Sequence, residues 1–201
     1  MNAGHLSYEV GVGIPEGHRL AAAQLYDEAF GQKSAFAIPD ASKRIEIFAK
    51  HFDLKYAVAA IIKDDLLGIA GFSTSTGSLT AGIGYGNLLS DLGVFDGNRA
   101  ALVLSLYERQ ALPGELLMDG ISVGPTSRGL GVGTRLLNGL IDYARGNGYE
   151  SIRLDVIDTN DGARKLYERL GFVSTKTEKF EILRGVLGFG AATTMVYDVK
   201  R

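Results

Sequence analysis

The segment Ile121-Ser122-Val123-Gly124-Pro125-Thr126-Ser127-Arg128-Gly129-Leu130-Gly131-Val132-Gly133-Thr134 puts three glycines at alternate positions, just after an arginine, between an apolar run and a helical pattern. Glycines permit tight curvature and close approach, and a helix start directs free N–H groups and its positive end at one spot, so this is an anion site that suits a phosphate-bearing ligand. Two better-known phosphate loops are excluded. The dinucleotide fingerprint needs a glycine where Thr134 stands, and no Gly-Lys-Ser/Thr triplet occurs in the chain. The plain alternative is a surface turn. Just upstream, strand alternation over Glu115 to Val123 turns residues 115, 117, 119, 121 and 123 one way, which puts the carboxylates of Glu115 and Asp119 on the same side. Either acid could equally be an exposed edge-strand charge. Downstream, Asn160 stands where a helix N-cap belongs, and Tyr167 falls on the stripe Ala163, Leu166, Tyr167, Leu170, which by period reads as a core aromatic.

Other chemistries have little footing. There is no cysteine, which removes disulfides, thiolate metal sites and an acyl-cysteine intermediate. His5, His18 and His51 are scattered, and Asp158-Thr159-Asn160-Asp161-Gly162 breaks the calcium-loop spacing, so no metal is expected. With 21 basic against 23 acidic side chains, wholesale neutralisation of a nucleic-acid backbone is not expected.

The elements that must position these residues alternate between helix and strand. A strand is expected near Leu6 to Val12, a helix from Pro15-Glu16 to a stop at Gly31, a second helix after Pro39-Asp40, and a hairpin of Tyr56 to Ile62 with Leu66 to Thr74. Gly77 to Gly97 reads as irregular and Asp96 to Gln110 as helix. Glu115 to Val123 reads as a strand, Thr134 to Gly146 as an amphipathic helix, Ser151 to Ile157 as a strand and Asp161 to Leu170 as a helix ended by Gly171. Last strands are expected near Lys179 to Leu183 and Thr193 to Val199. The second half argues for an α/β sheet with a parallel crossover. At 201 residues, with 46% hydrophobic and 22% charged residues and no linker or repeat, the chain reads as one domain, residues 1–201. No basic n-region leads a long apolar run and no stretch reaches the ~20 residues of a membrane span, so a cytoplasmic protein without a membrane partner is expected. Glycine is in excess: 27 of 201 residues, about 13% against the usual ~7%.

Arg128-Gly129-Leu130-Gly131-Val132-Gly133 resembles the (Arg/Gln)-x-x-Gly-x-(Gly/Ala) signature of the GNAT superfamily of acetyl-CoA-dependent N-acetyltransferases. Asn160 to Phe172 is similar to that family's second hallmark, Asn-x-x-Ala through Tyr-x-x-x-Gly-Phe. The resemblance spans Glu115 to Phe172. It implies a mixed, mostly antiparallel central sheet flanked by helices, with Glu115 to Val123 and Ser151 to Ile157 as a splayed parallel pair. It implies acetyl-CoA as co-substrate, its pyrophosphate on the amides of Gly129, Leu130, Gly131, Val132 and Gly133, with Thr134 and Arg128 beside it, and its pantetheine arm in the wedge near Ile121, Val123, Asn160 and Ala163.

By the same resemblance Tyr167 is the general acid for the departing thiolate, and Glu115, ahead of Asp119, is the base that takes the proton of an acceptor amine. The acceptor is an amine-bearing small molecule or peptide, and a homodimer is compatible with the family. The segment 77–110 is the expected cover of the acceptor side and 115–172 the acetyl-CoA core. A non-catalytic acetyl-CoA-binding sensor or interaction domain is the rival reading. It would keep the loop but could dispense with Tyr167 and the strand carboxylates.

Overall fold

The computed structural model describes residues 8–105, 109–179 and 189–201. In chain order these form β1 (Glu9–Val12), α1 (Arg19–Ser34), α2 (Ala41–His51), β2 (Ala57–Ile62), β3 (Asp65–Thr74), β4 (Gly77–Ser78), α3 (Tyr85–Ser105), β5 (Glu115–Val123), α4 (Val132–Gly146), β6 (Ser151–Ile157), α5 (Asp161–Arg169), β7 (Val173–Lys179) and β8 (Ala191–Asp198). The sheet runs β1-β2-β3-β5-β6-β8-β7, with β4 a short addition to β3. Every pairing is antiparallel except β5 with β6. That parallel pair has three rungs, Glu115 to Ser151, Leu116 to Ile152 and Leu117 to Arg153, although β5 runs on to Val123 and β6 to Ile157. Beyond the third rung the two strands part, as the resemblance implies.

Helices cover both faces of the sheet. On one face α4 buries Val132, Leu136, Leu137, Leu140, Ile141 and Ala144, recurring at helical spacing, against Val58, Phe72, Leu116, Met118, Ile152 and Leu154. A fully buried leucine contributes ~1.5–3 kcal/mol, so this stripe holds the helix that carries the glycine loop. On the other face α1 packs on β3 and β5, with α2 behind it. Their seam is an aromatic cluster in which the Tyr26 ring meets Phe30, Phe48 and Phe52. A buried ion pair, Arg44 Nε to Asp27 Oδ1 at 2.6 Å, ties α2 to α1.

Several elements depart from the sequence expectation, each for a physical reason. Helix α1 runs through Gly31 to Ser34. A Cβ at Gly31 would stand 2.9 Å from the Asp27 carboxylate, so the glycine makes room for the Asp27–Arg44 pair and does not end the helix. The stretch expected to be irregular is largely helical. Helix α3 spans Tyr85–Ser105, broken at Gly93 by a left-handed φ of 78°. Across that break its two arms pack closely, because a Cβ at Gly97 would lie 2.8 Å from the Leu88 carbonyl oxygen. This helical hairpin rests on α2 and the α1–α2 loop through a separate small core of Ala37, Ile38, Ile47, Leu88 and Ala100. Arg109 and Gln110, expected within a helix, lie in irregular chain. Among the described residues the strand before β8 is β7, ending at Lys179. It is polar and exposed along nearly its whole length and gives no alternation to read. The expected strand residues Leu6, Ser7 and 180–183 lie outside the described residues. Among the described residues no helix is long and apolar enough to cross a membrane.

Candidate active site

The glycine loop leads into α4 as the sequence suggests. Gly129 and Gly131 both have φ of 77°, in the left-handed region that glycine tolerates. Gly131 is the N-cap, and no side chain caps the helix. The first helical bond is Arg135 N–H to the Gly131 carbonyl at 3.1 Å. The N–H groups of Val132, Gly133 and Thr134 therefore precede any intrahelical acceptor and point out of the helix start. Leu130 differs: its N–H turns back to the Ser127 carbonyl at 3.4 Å, and its side chain is exposed. Val132 anchors the loop by burying its side chain, and at Gly133 any side chain would press on Leu166 of α5. The guanidinium of Arg128 spans the loop mouth, donating from Nε to the Val123 carbonyl at 3.2 Å and from Nη2 to Glu28 Oε1 of α1 at 3.0 Å. Arg135 is turned away and lies over the Tyr8 ring, 4.1 Å from its centroid.

Strand β5 forms the wall of the wedge, and its geometry corrects the expected alternation. Against β3 the register runs Gly71 to Gly120 and then Phe72 to Met118, so Asp119 is an extra residue, a β-bulge. Across the bulge the faces change parity. Asp119 meets Ser73 and Gly120 faces Phe30, both on the α1 side. Ser122 Oγ, also on that side, donates to the Leu25 carbonyl of α1 at 2.7 Å. Ile121 and Val123 instead turn to α4 and α5. Glu115 and Asp119 thus keep a common face, whereas Ile121 and Val123 do not share it.

The backbone of β5 is also oriented. Gly124 N–H donates to the Leu67 carbonyl of β3 at 2.9 Å. By strand alternation Ser122 N–H points the same way, and those of Ile121 and Val123 point into the opening where β6 has parted.

The two carboxylates have different surroundings. Glu115, at the closed end of the pair, is buried. Its Oε1 accepts from Arg153 Nε at 2.8 Å and from Leu112 N–H at 3.3 Å. Asp119, at the start of the opening, accepts from Ser73 Oγ at 2.7 Å through Oδ1, while Oδ2 is buried with no partner among the described residues. Burial pushes the Asp119 carboxyl up to about 6, and the Ser73 hydrogen bond partly opposes this. Tyr26, from α1, is half-buried; burial of its phenol first, and the Asp119 charge second, push that phenol well above the ordinary value.

On the far wall Asn160 caps α5, accepting from Ala163 N–H at 3.1 Å. Tyr167, two turns along, is 4% exposed and stacked obliquely on Phe172, and burial pushes its phenol up to about 12. The periodic reading of Tyr167 as a core aromatic is therefore correct as to place, whatever further role it has. Among the described residues no group of three metal-ligating side chains comes together. Ser73, Tyr26, Phe30 and Glu28 carried no signal in the sequence, since only the pairing of β3 with β5 and the docking of α1 bring them here.

Residues 20–172 match the acetyltransferase (GNAT) family. Among curated relatives, a probable N-acetyltransferase camello of Xenopus tropicalis is 36% identical over 83 residues, 41% of this chain and 36% of the relative. The N-alpha-acetyltransferase RimI of Mycobacterium tuberculosis is 42% identical over 60 residues, 30% of this chain and 36% of the relative. The matched segments span between 26% and 39% of the curated relatives' own lengths. Among solved structures, a GCN5-related N-acetyltransferase from Kribbella flavida superposes with a TM-score of 0.62 at 17% identity, covering 95% of this chain and 97% of that one. The ribosomal-protein-S18-alanine N-acetyltransferase from Escherichia coli does so with 0.57 at 16% identity, covering 96% and 94%. At such identities these two likenesses are likenesses of fold. Joined to a match over more than half of the sequence, and to a glycine loop and a parting strand pair at the matched positions, they show that the chain belongs to the GNAT acetyltransferase family.

Proposed function

We propose that the protein transfers the acetyl group of acetyl-CoA directly to a primary amine, with Asp119 taking the amine's proton and Tyr167 supplying one to the departing thiolate. The observation that carries this reading is the order of features along β5: the Asp119 carboxylate where β6 parts, with one oxygen unpartnered among the described residues, then outward strand amides, then an uncapped helix start. The amides of Gly129, Gly131, Val132, Gly133 and Thr134, with Arg128, would hold the pyrophosphate, and Asn160 and Ala163 would line the pantetheine arm.

A lysine-like amine has a pKa of ~10.4, so freeing it at pH 7 costs ~4–5 kcal/mol, and an acceptor for its proton is valuable. Glu115 is held by Arg153 and a backbone N–H, both of which donate to the same oxygen, Oε1. Asp119 has one oxygen held by Ser73 and the other buried without a partner among the described residues, and at about 6 it is ionised at neutral pH yet basic enough to take a proton. As the nitrogen bonds to the thioester carbon, its proton passes to Asp119. The N–H groups of Ile121 and Val123 are aimed to stabilise the carbonyl oxygen. As the C–S bond breaks, Tyr167 protonates the sulfur, and solvent restores both residues. A thiol of pKa ~8.5 is a fair leaving group, so positioning should contribute more than this acid.

The test is purified protein with acetyl-CoA against a panel of polyamines, small amine metabolites and peptides with free N-termini, read by released thiol. The names of two proteins it resembles, an N-alpha-acetyltransferase and a ribosomal-protein alanine acetyltransferase, place alanine-starting peptides early in that panel. Thiol release dependent on the amine is the expected outcome. Acetyl-CoA binding without turnover on any amine would overturn the catalytic reading in favour of a sensor.

A further inference from the structure

We propose that Ser73 is a positioning residue for the transfer reaction: from the neighbouring strand it fixes the bulged Asp119 carboxylate so that one oxygen is held and the other is presented to the acceptor amine. The inference rests on the reading of Asp119 as the base. Ser73 stands on β3 opposite Leu117, two residues before the bulged Asp119 on β5, and it is buried. A bulge frees its extra residue from the ladder, so the backbone pairing alone does not fix where Asp119 points. The 2.7 Å bond from Ser73 Oγ to Oδ1 fixes it, and Oδ2 stays buried and unpartnered among the described residues. The titratable groups near this carboxylate come from two elements: the Tyr26 phenol of α1, neutral and raised in part by the Asp119 charge, and on β5 itself Glu115, which shares its face but is paired with Arg153. No cation contacts Asp119 among the described residues, so the Ser73 hydroxyl is the group that favours its charged form.

Two things then follow from loss of that hydroxyl. The carboxyl titrates higher, and its orientation loosens. Asp119 is followed by carbon-13 NMR of carboxyl-labelled aspartate, assigned by the signal missing in Asp119→Asn, on the protein alone. In Ser73→Ala the midpoint moves up by about one pH unit, the scale of one hydrogen bond to a charged group. The acid limb of kcat/KM, measured with the best amine of the panel, moves with it. Ser73→Thr, which keeps the hydroxyl, restores both, and Ser73→Cys, a weaker donor of nearly the same size, falls between. An Asp119 midpoint that does not move in Ser73→Ala or Ser73→Cys overturns the proposal. So does an acid limb that is present in the wild type, absent in Asp119→Asn and unmoved in Ser73→Ala. An undiminished rate in Asp119→Asn is a different result, and it removes Asp119 as the base.

Discussion

At Asp119 burial and hydrogen bonding pull in opposite directions, and burial wins. A carboxyl raised to about 6 from 3.8 favours folding in its neutral form. The stability it contributes is full below the unfolded value and is lost as pH rises through about 6. Two pH units correspond to ~3 kcal/mol. Asp119→Asn keeps an acceptor for Ser73 and removes the charge, so it should gain on the wild type by up to ~3 kcal/mol between pH 4 and pH 7.5 in urea unfolding, while losing transfer activity. A constant gap across that range would count against the raised carboxyl. Tyr167 is the opposite case, a phenol held at about 12 that keeps its proton throughout the working range. Tyr167→Phe should lower kcat by ~10- to 100-fold, at or below the low end for general acid catalysis because the thiol leaves readily, with acetyl-CoA affinity unchanged by calorimetry. Asn160, Tyr167 and the loop glycines could be found in the sequence because their spacing within one contiguous stretch carries the resemblance. Ser73 could not, since it lies 46 residues from Asp119 and meets it only when β3 pairs with β5.

At the scale of elements, the helix start and the bulge depend on opposite kinds of evidence. The first turn of α4 was legible because glycines, strand and apolar stripe follow one another along the chain. Gly131→Glu would put a carboxylate and a strained left-handed residue at that start, and it should abolish measurable acetyl-CoA binding while leaving the α4 stripe buried and the far-ultraviolet spectrum native. The bulge was illegible. An inserted residue changes the facing of every side chain beyond it, and nothing in Glu115 to Val123 announces the change until β3 supplies the register. The same holds for Gly31 and Gly97. Taken alone each reads as a helix stop or a loop residue, and each in fact opens space for a partner distant in sequence or across a turn, the Asp27 carboxylate and the Leu88 carbonyl.

Across the whole molecule, the eight glycines from Gly68 to Gly97 serve tight packing more than looseness. Gly68 lets the Ser122 carbonyl of β5 lie close to β3, Gly71 makes room for the Leu79 side chain, and Gly97 closes the α3 hairpin. That hairpin has its own small core, so it should open separately from the sheet. Leu88→Ala, with a cost of ~2–4 kcal/mol at such a site, should accelerate hydrogen exchange in α3 alone. If the hairpin borders the acceptor, the variant should also raise the acceptor KM without changing acetyl-CoA affinity. The sheet itself consists of two plates, β1-β2-β3-β5 and β6-β8-β7, fastened by three rungs. A slender, amide-bearing molecule lying in the gap would act as a temporary ninth strand, completing a ladder that the chain leaves unfinished. On the proposed function, the molecule that fastens the plates would also be the one consumed at each turnover. Stiffness would come and go with the catalytic cycle, and the release of spent coenzyme A would coincide with the loosening that admits the next one.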